Sequence, residues 1–173
     1  MAKMIHFWDM DHTIIDNDCD VSWKDFVMKH NLAGKDANEK ADFFYQQYLN
    51  KCLDIDAFLL FQLEEFKDRS EDEIRQLSIE HCSAYALPNV YRQAQDLIRE
   101  QQQQGDIVCL ITATNRYIAE PIAAHFGIEH LLATELQVEN NIFTGSIRGV
   151  YCCGEGKLSH IDEFCKLHNS TRA

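Results

Sequence analysis

Three short apolar runs, separated by long amphipathic stretches, predict an α/β protein with a parallel sheet. Residues 4–8 form the first run and end abruptly in polar residues, as a short buried strand does. Residues 107–111 form a run of the kind found in parallel strands that are buried on both faces. Residues 131–134 predict a third strand, and residues 135–147 alternate as a hairpin around an Asn-Asn dipeptide. Sheets of this kind bind ligands at the carboxyl ends of their strands.

The segment between the first two strands, residues 21–85, shows helical periodicity throughout. Ser70 followed by Glu73 forms a capping box, which predicts the start of a helix. The segment therefore predicts a compact module of three or four helices. Its aromatic stripes are interpreted as core rather than as a cofactor site. The positions predicted to face inward are Trp23, Phe26, Val27, Ala41, Phe44, Tyr45, Tyr48, Leu49, Ile55, Phe58, Leu59 and Phe66.

Three further helices are predicted in the rest of the chain. The first begins at Pro88 and ends at Gly105, since proline favours the first turn of a helix and glycine its end. The second ends at Gly127, and the third follows the glycine-flanked Lys157. The inward positions predicted for the first of these helices are Val90, Ala94, Leu97 and Ile98.

The net charge of −12 at pH 7 argues against a nucleic-acid or anionic membrane surface, because both require clustered Lys and Arg. No apolar run has the length of a membrane span, and no signal peptide is recognised. The seven cysteines are odd in number and irregularly spaced, which indicates free thiols in a reducing compartment. We therefore expect a cytoplasmic protein whose partner is a small molecule, with no nucleic acid and no membrane.

Asp9 and Asp11 directly follow the first strand and carry the clearest chemical signal. In an extended backbone, residues two apart project their side chains the same way. Two carboxylates held so close repel each other unless a cation lies between them, and Mg²⁺ prefers oxygen ligands of this kind. The alternative is an ordinary acidic turn at a strand end. A glycosyltransferase metal site is a weaker interpretation, because no nucleotide-binding half precedes the motif.

Thr112 follows the second strand and Lys157 lies at a helix start, so both fall at the same sheet edge as the two aspartates. Each alone has an ordinary interpretation, Thr112 as a helix N-cap and Lys157 as a surface cation. Thr114 and Asn115 are also available to cap the next helix. The sequence resembles the haloacid dehalogenase superfamily of phosphohydrolases in its motifs Asp9-Met10-Asp11-His12-Thr13, Leu110-Ile111-Thr112 and Gly156-Lys157.

The resemblance implies a Rossmann-like parallel sheet with an α-helical cap inserted after the first strand, as in phosphoserine phosphatase-like members. Residues 1–16 and 86–173 would form the α/β core, and residues 17–85 would form the cap. The likeness covers about the whole chain.

The resemblance also implies a role for each motif residue. Asp9 would attack phosphorus and form an aspartyl-phosphate, while Asp11 would protonate the leaving alcohol and then activate water. The Asp9 carboxylate and the Asp11 carbonyl would hold Mg²⁺. Thr112 and the backbone N–H of Ala113 would bind phosphoryl oxygens, and Lys157 would offset their charge. We therefore expect Asp9, Asp11, Thr112 and Lys157 to be catalytic.

The sequence departs from the family pattern in two places. His12 stands where glycine is usual, and its imidazole would either contact a substrate or only fill the loop. The last acidic cluster of the family has no match, because Asp162 and Glu163 lie within the predicted last helix. We therefore expect a truncated member with weakened Mg²⁺ binding. Its first strand would be an exposed edge through which a homodimer could form.

The leading hypothesis is a Mg²⁺-dependent phosphomonoesterase acting on a small phosphorylated metabolite. Asp16, Asp18 and Asp20 favour an amino-alcohol phosphate such as phosphoserine, unless they only cap the following helix. A related hypothesis is a phosphotransferase that passes the phosphoryl group to an alcohol. The non-enzymatic alternative is a catalytically weak or inactive member that binds phosphate or a protein partner.

Overall fold

The protein is described by a computed structural model that covers residues 3–170. Its main sheet has three parallel strands. Strand β1 covers Ile5–Asp9, β2 covers Ile107–Asn115 and β3 covers His130–Thr134, in the order β1-β2-β3. Asp9 pairs with Ile111, so the carboxyl end of β1 lies beside β2 where the apolar run of β2 ends. The predicted parallel sheet is confirmed.

Strand β2 is longer than predicted, because it continues through the polar residues 112–115. Its pairing with β3 is regular up to Ile111 and shifts register before Asn115. Irregular pairing of this kind is common beside active sites, because it changes the direction in which side chains point.

Strand β1 forms one edge of the sheet. Within residues 3–170, β2 is the one strand that pairs with it. All five residues of β1 are half-buried, and the Phe7 ring packs edge-on against Phe164 of the last helix at 5.7 Å. The described part of the chain thus contains the strand edge that the sequence predicts, while a homodimer through this edge stays a prediction.

Helices occupy the segment between β1 and β2, as predicted. The Ser70 hydroxyl accepts a hydrogen bond from the Glu73 N–H at 3.2 Å, which completes the predicted helix start. A π-helical turn and a 3₁₀ turn at Leu87–Asn89 follow, so Pro88 lies in a turn and does not begin the next helix. The helices of this segment are α1 (Cys19–Lys29), α2 (Ala37–Leu49), α3 (Ile55–Leu63) and α4 (Glu71–His81).

Three helices and a hairpin complete the described chain. The Asn115 side chain caps one helix by accepting hydrogen bonds from the N–H groups of Tyr117 and Ile118. Asn140 and Asn141 turn the hairpin with φ values of 51° and 66°, which Asn tolerates in turns of this type. These elements are α5 (Arg92–Gln103), α6 (Arg116–His125), β4 (Leu136–Glu139), β5 (Ile142–Ile147) and α7 (Glu155–Leu167).

One hydrophobic cluster joins the sheet to the helices inserted between β1 and β2. Trp23 of α1 stacks on Phe66 with ring centroids 5.2 Å apart. Both belong to the same buried cluster as Leu110 of β2 and Ile118 of α6. This cluster is continuous between the sheet and the inserted helices and does not mark a boundary between them. The predicted division into core and cap stays a prediction.

Several positions predicted to face the core are exposed. On α2, Tyr45, Tyr48 and Leu49 are 58%, 66% and 54% exposed, and Ile55 and Leu97 are also exposed. Their inward assignment is wrong, because periodicity shows which side chains share a face of a helix but not what covers that face. Phe44, Tyr45 and Tyr48 of α2 border a cavity instead.

His81 lies fully buried at the end of α4, among aromatic rings. Its Nε2 atom is 2.9 Å from the Ser22 hydroxyl, which accepts a hydrogen bond from the Asn17 side chain at 2.8 Å. Burial lowers the pKa of His81 to about 4. Between about pH 6.5 and about pH 4, His81 is therefore protonated in the unfolded chain and neutral in the folded protein.

We predict that His81→Gln flattens the pH dependence of stability between about pH 6.5 and about pH 4. As the pH falls through this window, His81 should cost the wild type roughly 3 kcal/mol of unfolding free energy, because only the unfolded state takes up the proton. Urea denaturation at several pH values measures the free energy of unfolding of wild type and variant. The contributions of the carboxyl groups cancel in the difference between the two. The exposed control His125→Gln should keep the wild-type slope, and an unchanged slope in His81→Gln would contradict the prediction.

Candidate active site

Asp9, the last residue of β1, is in contact with a lysine from the last helix. The Lys157 ammonium donates a hydrogen bond to Asp9 Oδ1 at 2.5 Å, and the Thr13 hydroxyl donates to Oδ2 at 3.2 Å. The Asp9 side chain is 43% exposed, so part of it faces solvent. The structure thus brings the predicted nucleophile and the predicted charge-offsetting cation together.

The glycine-rich start of α7 places Lys157. Gly154 precedes the helix with a φ of 53°, a left-handed value that favours glycine. A Cβ atom at Gly156 would lie 2.0 Å from the Tyr151 carbonyl oxygen, so a larger residue does not fit without a backbone shift. This close approach sets where α7 begins and therefore where the lysine side chain starts.

The Asp11 side chain is hydrogen-bonded on both of its oxygens. The Cys19 N–H donates to Oδ1 at 2.8 Å, while the hydroxyls of Thr114 and Thr112 donate to Oδ2 at 2.9 Å and 3.4 Å. Burial raises the pKa of Asp11, although the hydrogen bonds from Cys19 and Thr114 act in the opposite direction. A carboxyl group with a raised pKa is better matched to proton transfer near neutral pH.

Thr112 and Ala113 lie near the end of β2, beside the strand that ends in Asp9. Thr112 is buried, and its hydroxyl accepts a hydrogen bond from the Thr114 N–H at 3.1 Å. The Ala113 carbonyl accepts a hydrogen bond from the Thr134 hydroxyl at 2.6 Å, which ties β2 to β3. The structure brings both residues to the edge that carries the aspartates, while their contact with phosphate stays a prediction.

The sequence matches one protein family over nearly its whole length. The family model for haloacid dehalogenase-like hydrolases matches residues 6–171. The chain belongs to this family. The predicted family is therefore confirmed, and so is the predicted α/β fold class.

Three relatives show what this hydrolase is similar to. A histidinol-phosphatase of Neisseria meningitidis serogroup C is 30% identical over 171 residues, which cover 98% of this chain and 77% of the relative. A protein of unknown function from Bordetella pertussis Tohama I, solved as a crystal structure, has a TM-score of 0.89 at 28% identity, covering 98% and 78% of the two chains. A phospho-aspartyl intermediate analogue of phosphoserine phosphatase has a TM-score of 0.68 at 16% identity, covering 99% and 75%, and shows a shared fold. The predicted enzyme class, a phosphatase of this hydrolase family, is confirmed.

His12 departs from the glycine expected at its position in this hydrolase family. Its φ of 54° is left-handed, a conformation that costs a residue with a side chain roughly 1 kcal/mol. The His12 N–H donates to the Asn17 carbonyl at 3.3 Å, and the Thr13 N–H donates to the Met10 carbonyl at 3.2 Å. These bonds hold the loop in its strained shape. The imidazole is exposed and borders the cavity beside α1.

Two oxygen groups of the site fit the Mg²⁺ ion that the family resemblance implies. The Asp9 carboxylate is partly exposed, and the Asp11 carbonyl oxygen has a long contact of 3.4 Å with the Thr13 hydroxyl. Residues 3–170 contain no cluster of three His, Cys, Asp or Glu side chains able to hold a metal. Because Mg²⁺ usually keeps several water ligands, two hard protein oxygens are compatible with it.

Thr114 is a site residue that the sequence interpretation missed. The interpretation offers Thr114 and Asn115 as helix caps, and Asn115 does cap α6, but the Thr114 hydroxyl donates to Asp11 instead. A signal for this contact exists in the sequence. Residues two apart in a strand point the same way, so Thr112 and Thr114 share one face of β2.

We predict that Thr114→Val lowers kcat for an alkyl phosphate by about tenfold or more and lowers kcat for p-nitrophenyl phosphate much less. Valine lacks the hydroxyl that orients Asp11, and an alkoxide needs a proton to leave whereas nitrophenolate does not. Steady-state kinetics with both substrates measure the effect.

Two variants control this experiment. Thr114→Ser keeps the hydroxyl and should retain activity on the alkyl phosphate. Thr144→Val removes a hydroxyl of β5 that donates to the Gln137 carbonyl within the hairpin, and it should change neither rate. Equal losses with both substrates in Thr114→Val would show that Thr114 supports the fold and not proton transfer.

Proposed function

We propose that the chain is a Mg²⁺-dependent phosphatase that hydrolyses the phosphomonoester of a small metabolite through an aspartyl-phosphate intermediate. The contact of the Lys157 ammonium with Asp9 Oδ1, at the same sheet edge as Asp11, is the observation that carries this proposal. The reaction requires a nucleophile, a cation to offset phosphoryl charge and a proton donor. These three residues supply one group each.

The proposed reaction has two steps. In the first, an oxygen of Asp9 attacks phosphorus, the bond from phosphorus to the alcohol oxygen breaks, and Asp11 gives its proton to that oxygen. In the second, water attacks the phosphorus of the aspartyl-phosphate, Asp11 takes a proton from the water, and the Asp9 carboxylate is restored as inorganic phosphate leaves. Lys157, Thr112 and the N–H of Ala113 bind the phosphoryl oxygens in both steps.

The Asp9 carboxylate and the Asp11 carbonyl would hold Mg²⁺, which when bound neutralises part of the phosphate charge. The Asp11 side chain is held elsewhere, because both of its oxygens accept hydrogen bonds. One residue can therefore offer its carbonyl to the ion and its carboxyl group to the leaving alcohol.

Histidinol phosphate is the first substrate to test, because a histidinol-phosphatase is 30% identical to this chain. Phosphoserine is the second, because the acids that follow the aspartate loop favour an amino-alcohol phosphate. One of these acids, Asp18, caps α1 by accepting hydrogen bonds from the N–H groups of Asp20 and Val21. A second, Asp16, is hydrogen-bonded to the Tyr91 hydroxyl. The remaining argument for an ammonium group therefore depends on Asp20.

A small phosphorylated metabolite is the proposed partner. The net charge of −12 disfavours nucleic acid and anionic membrane. None of the helices within residues 3–170 combines the length and the hydrophobicity that crossing a bilayer requires. All seven cysteines are free thiols, so the cytoplasm stays the proposed compartment. A homodimer also stays a proposal, because β1 is an edge strand with which a second copy of the chain could pair.

We predict that Asp9→Asn lowers the Mg²⁺-dependent hydrolysis of p-nitrophenyl phosphate by about 10³-fold or more, because an amide does not form the covalent intermediate. Removal of Mg²⁺ with EDTA should also lower the wild-type rate, and added Mg²⁺ should restore it. Nitrophenolate absorbance measures both effects.

Asp72→Asn serves as the matched control, because Asp72 is an exposed acid in the first turn of α4. It should keep the wild-type rate. Identical traces for wild type and Asp9→Asn would contradict the proposal and support the non-enzymatic alternative. Transfer of phosphate to an added alcohol in preference to water would support the phosphotransferase.

A further inference from the structure

A cavity of about 650 Å³ lies between the loop that carries His12 and the helices α1, α2 and α3. This volume is typical of sites that bind small organic molecules. The cavity borders the catalytic loop, because His12 lies directly between Asp11 and Thr13 in the chain. The Cys19 N–H, which donates a hydrogen bond to Asp11 Oδ1, stands in the chain between the lining residues Asp18 and Asp20. Asp11 is the proposed proton donor to the leaving alcohol, so a leaving group beside it would lie next to this cavity.

The charge of the cavity wall is negative. Four carboxylates line it, and Lys24 is the one lining cation among residues 3–170. Lys24 is 3% exposed, lies 2.5 Å from the Glu65 carboxylate and also donates to the Phe61 carbonyl. Its charge is thus already matched by Glu65, and the carboxylates of the wall remain unbalanced. These are Asp18, Asp20, Asp25 and Asp42.

Two polar side chains of the wall have no partner among residues 3–170. Within residues 3–170, neither the half-buried carboxylate of Asp20 nor the amide of Gln62 takes part in a hydrogen bond or an ion pair. Gln62 is only 9% exposed. Most buried polar groups in proteins are hydrogen-bonded, because an unpaired one is costly. Both side chains line the cavity with hydrogen-bonding capacity that the described protein leaves unused, so a polar ligand there could take it up.

Aromatic rings form the rest of the wall. Phe44 stacks on Phe61 at 5.2 Å, while Tyr45 and Tyr48 are more than half exposed beside them. Aromatic rings attract cations and pack against flat rings. An exposed aromatic surface of this kind, next to unbalanced carboxylates, favours a ligand that is both cationic and aromatic.

We propose that this cavity binds the leaving group of the substrate, and that this group is an organic cation with a flat ring. Asp20 and Gln62 receive the ammonium side of the ligand, and Tyr45 and Tyr48 receive its ring. This inference rests on the proposed phosphatase function, and it identifies the substrate class as a phosphate ester of an aromatic amino alcohol.

Three phosphate esters separate the two recognition features. Histidinol phosphate carries the ammonium and the ring, 3-(imidazol-4-yl)propyl phosphate lacks the ammonium, and alaninol phosphate lacks the ring. At about pH 8 the imidazole is neutral and carboxylates are ionised. Wild-type kcat/KM should be about tenfold or more higher for histidinol phosphate than for each of the other two esters.

Asp20→Asn tests the ammonium contact. It should raise KM about tenfold for the two esters with an ammonium and leave kinetics with 3-(imidazol-4-yl)propyl phosphate unchanged, which also shows that the variant is folded. Tyr48→Ala should lower kcat/KM for the two ring-bearing esters and not for alaninol phosphate. Asp56→Asn is the matched control, because Asp56 is an exposed acid of α3 outside the cavity wall.

Equal kcat/KM for the three esters, or equal losses for all of them in Asp20→Asn, would overturn the inference. Absence of phosphate release from every ester would overturn the proposed function. Calorimetric titration with histidinol then tests separately whether the cavity binds the leaving group. Weaker binding to Asp20→Asn than to wild type supports the site, whereas equal binding or no binding refutes it.

Discussion

The contact between Lys157 and Asp9 joins elements that are far apart in the sequence, the end of β1 and the start of α7. The two residues are 148 positions apart. They meet because β1 ends beside β2 in a parallel sheet and because the glycines before α7 allow its first turn to approach Tyr151 closely. An ion pair with partners 43% and 28% exposed adds at most about 1 kcal/mol to stability. Its value under the proposed function is therefore chemical, since it keeps a cation beside the proposed nucleophile.

Three aspartates near this contact differ in their surroundings, and their proposed roles differ accordingly. Asp9 is partly exposed and paired with a cation, which suits a nucleophile. Asp11 is half-buried and fully hydrogen-bonded, so its orientation is fixed. Asp20 is half-buried without a hydrogen bond in the described chain, and burial raises its pKa to about 7. Under the proposed function, one residue type would thus supply the nucleophile, the oriented proton donor and part of the anionic wall of the cavity.

The sequence predicts the sheet edge well, because strand ends in a parallel sheet must converge and their polar residues are visible in the pattern. It therefore anticipates that Asp9 and Lys157 come together. It does not show which of several hydroxyls reaches a given carboxylate, so the role of Thr114 emerges only from the structure. Periodicity also places Tyr45 and Tyr48 on one face of α2 without revealing that this face borders a cavity. These failures concern tertiary surroundings, which local pattern does not encode.

The lack of a side chain at Gly156 limits which substitutions this position accepts. Any other residue there would need the Tyr151 carbonyl to retreat by about 1 Å, since real Cβ contacts stay beyond 3.0 Å. A shift of that size at the first turn of α7 would disturb the position of the Lys157 ammonium, which contacts Asp9. A substitution that alters no charged or hydroxyl-bearing group would then disturb the contact on which the proposed reaction depends, without touching the sheet.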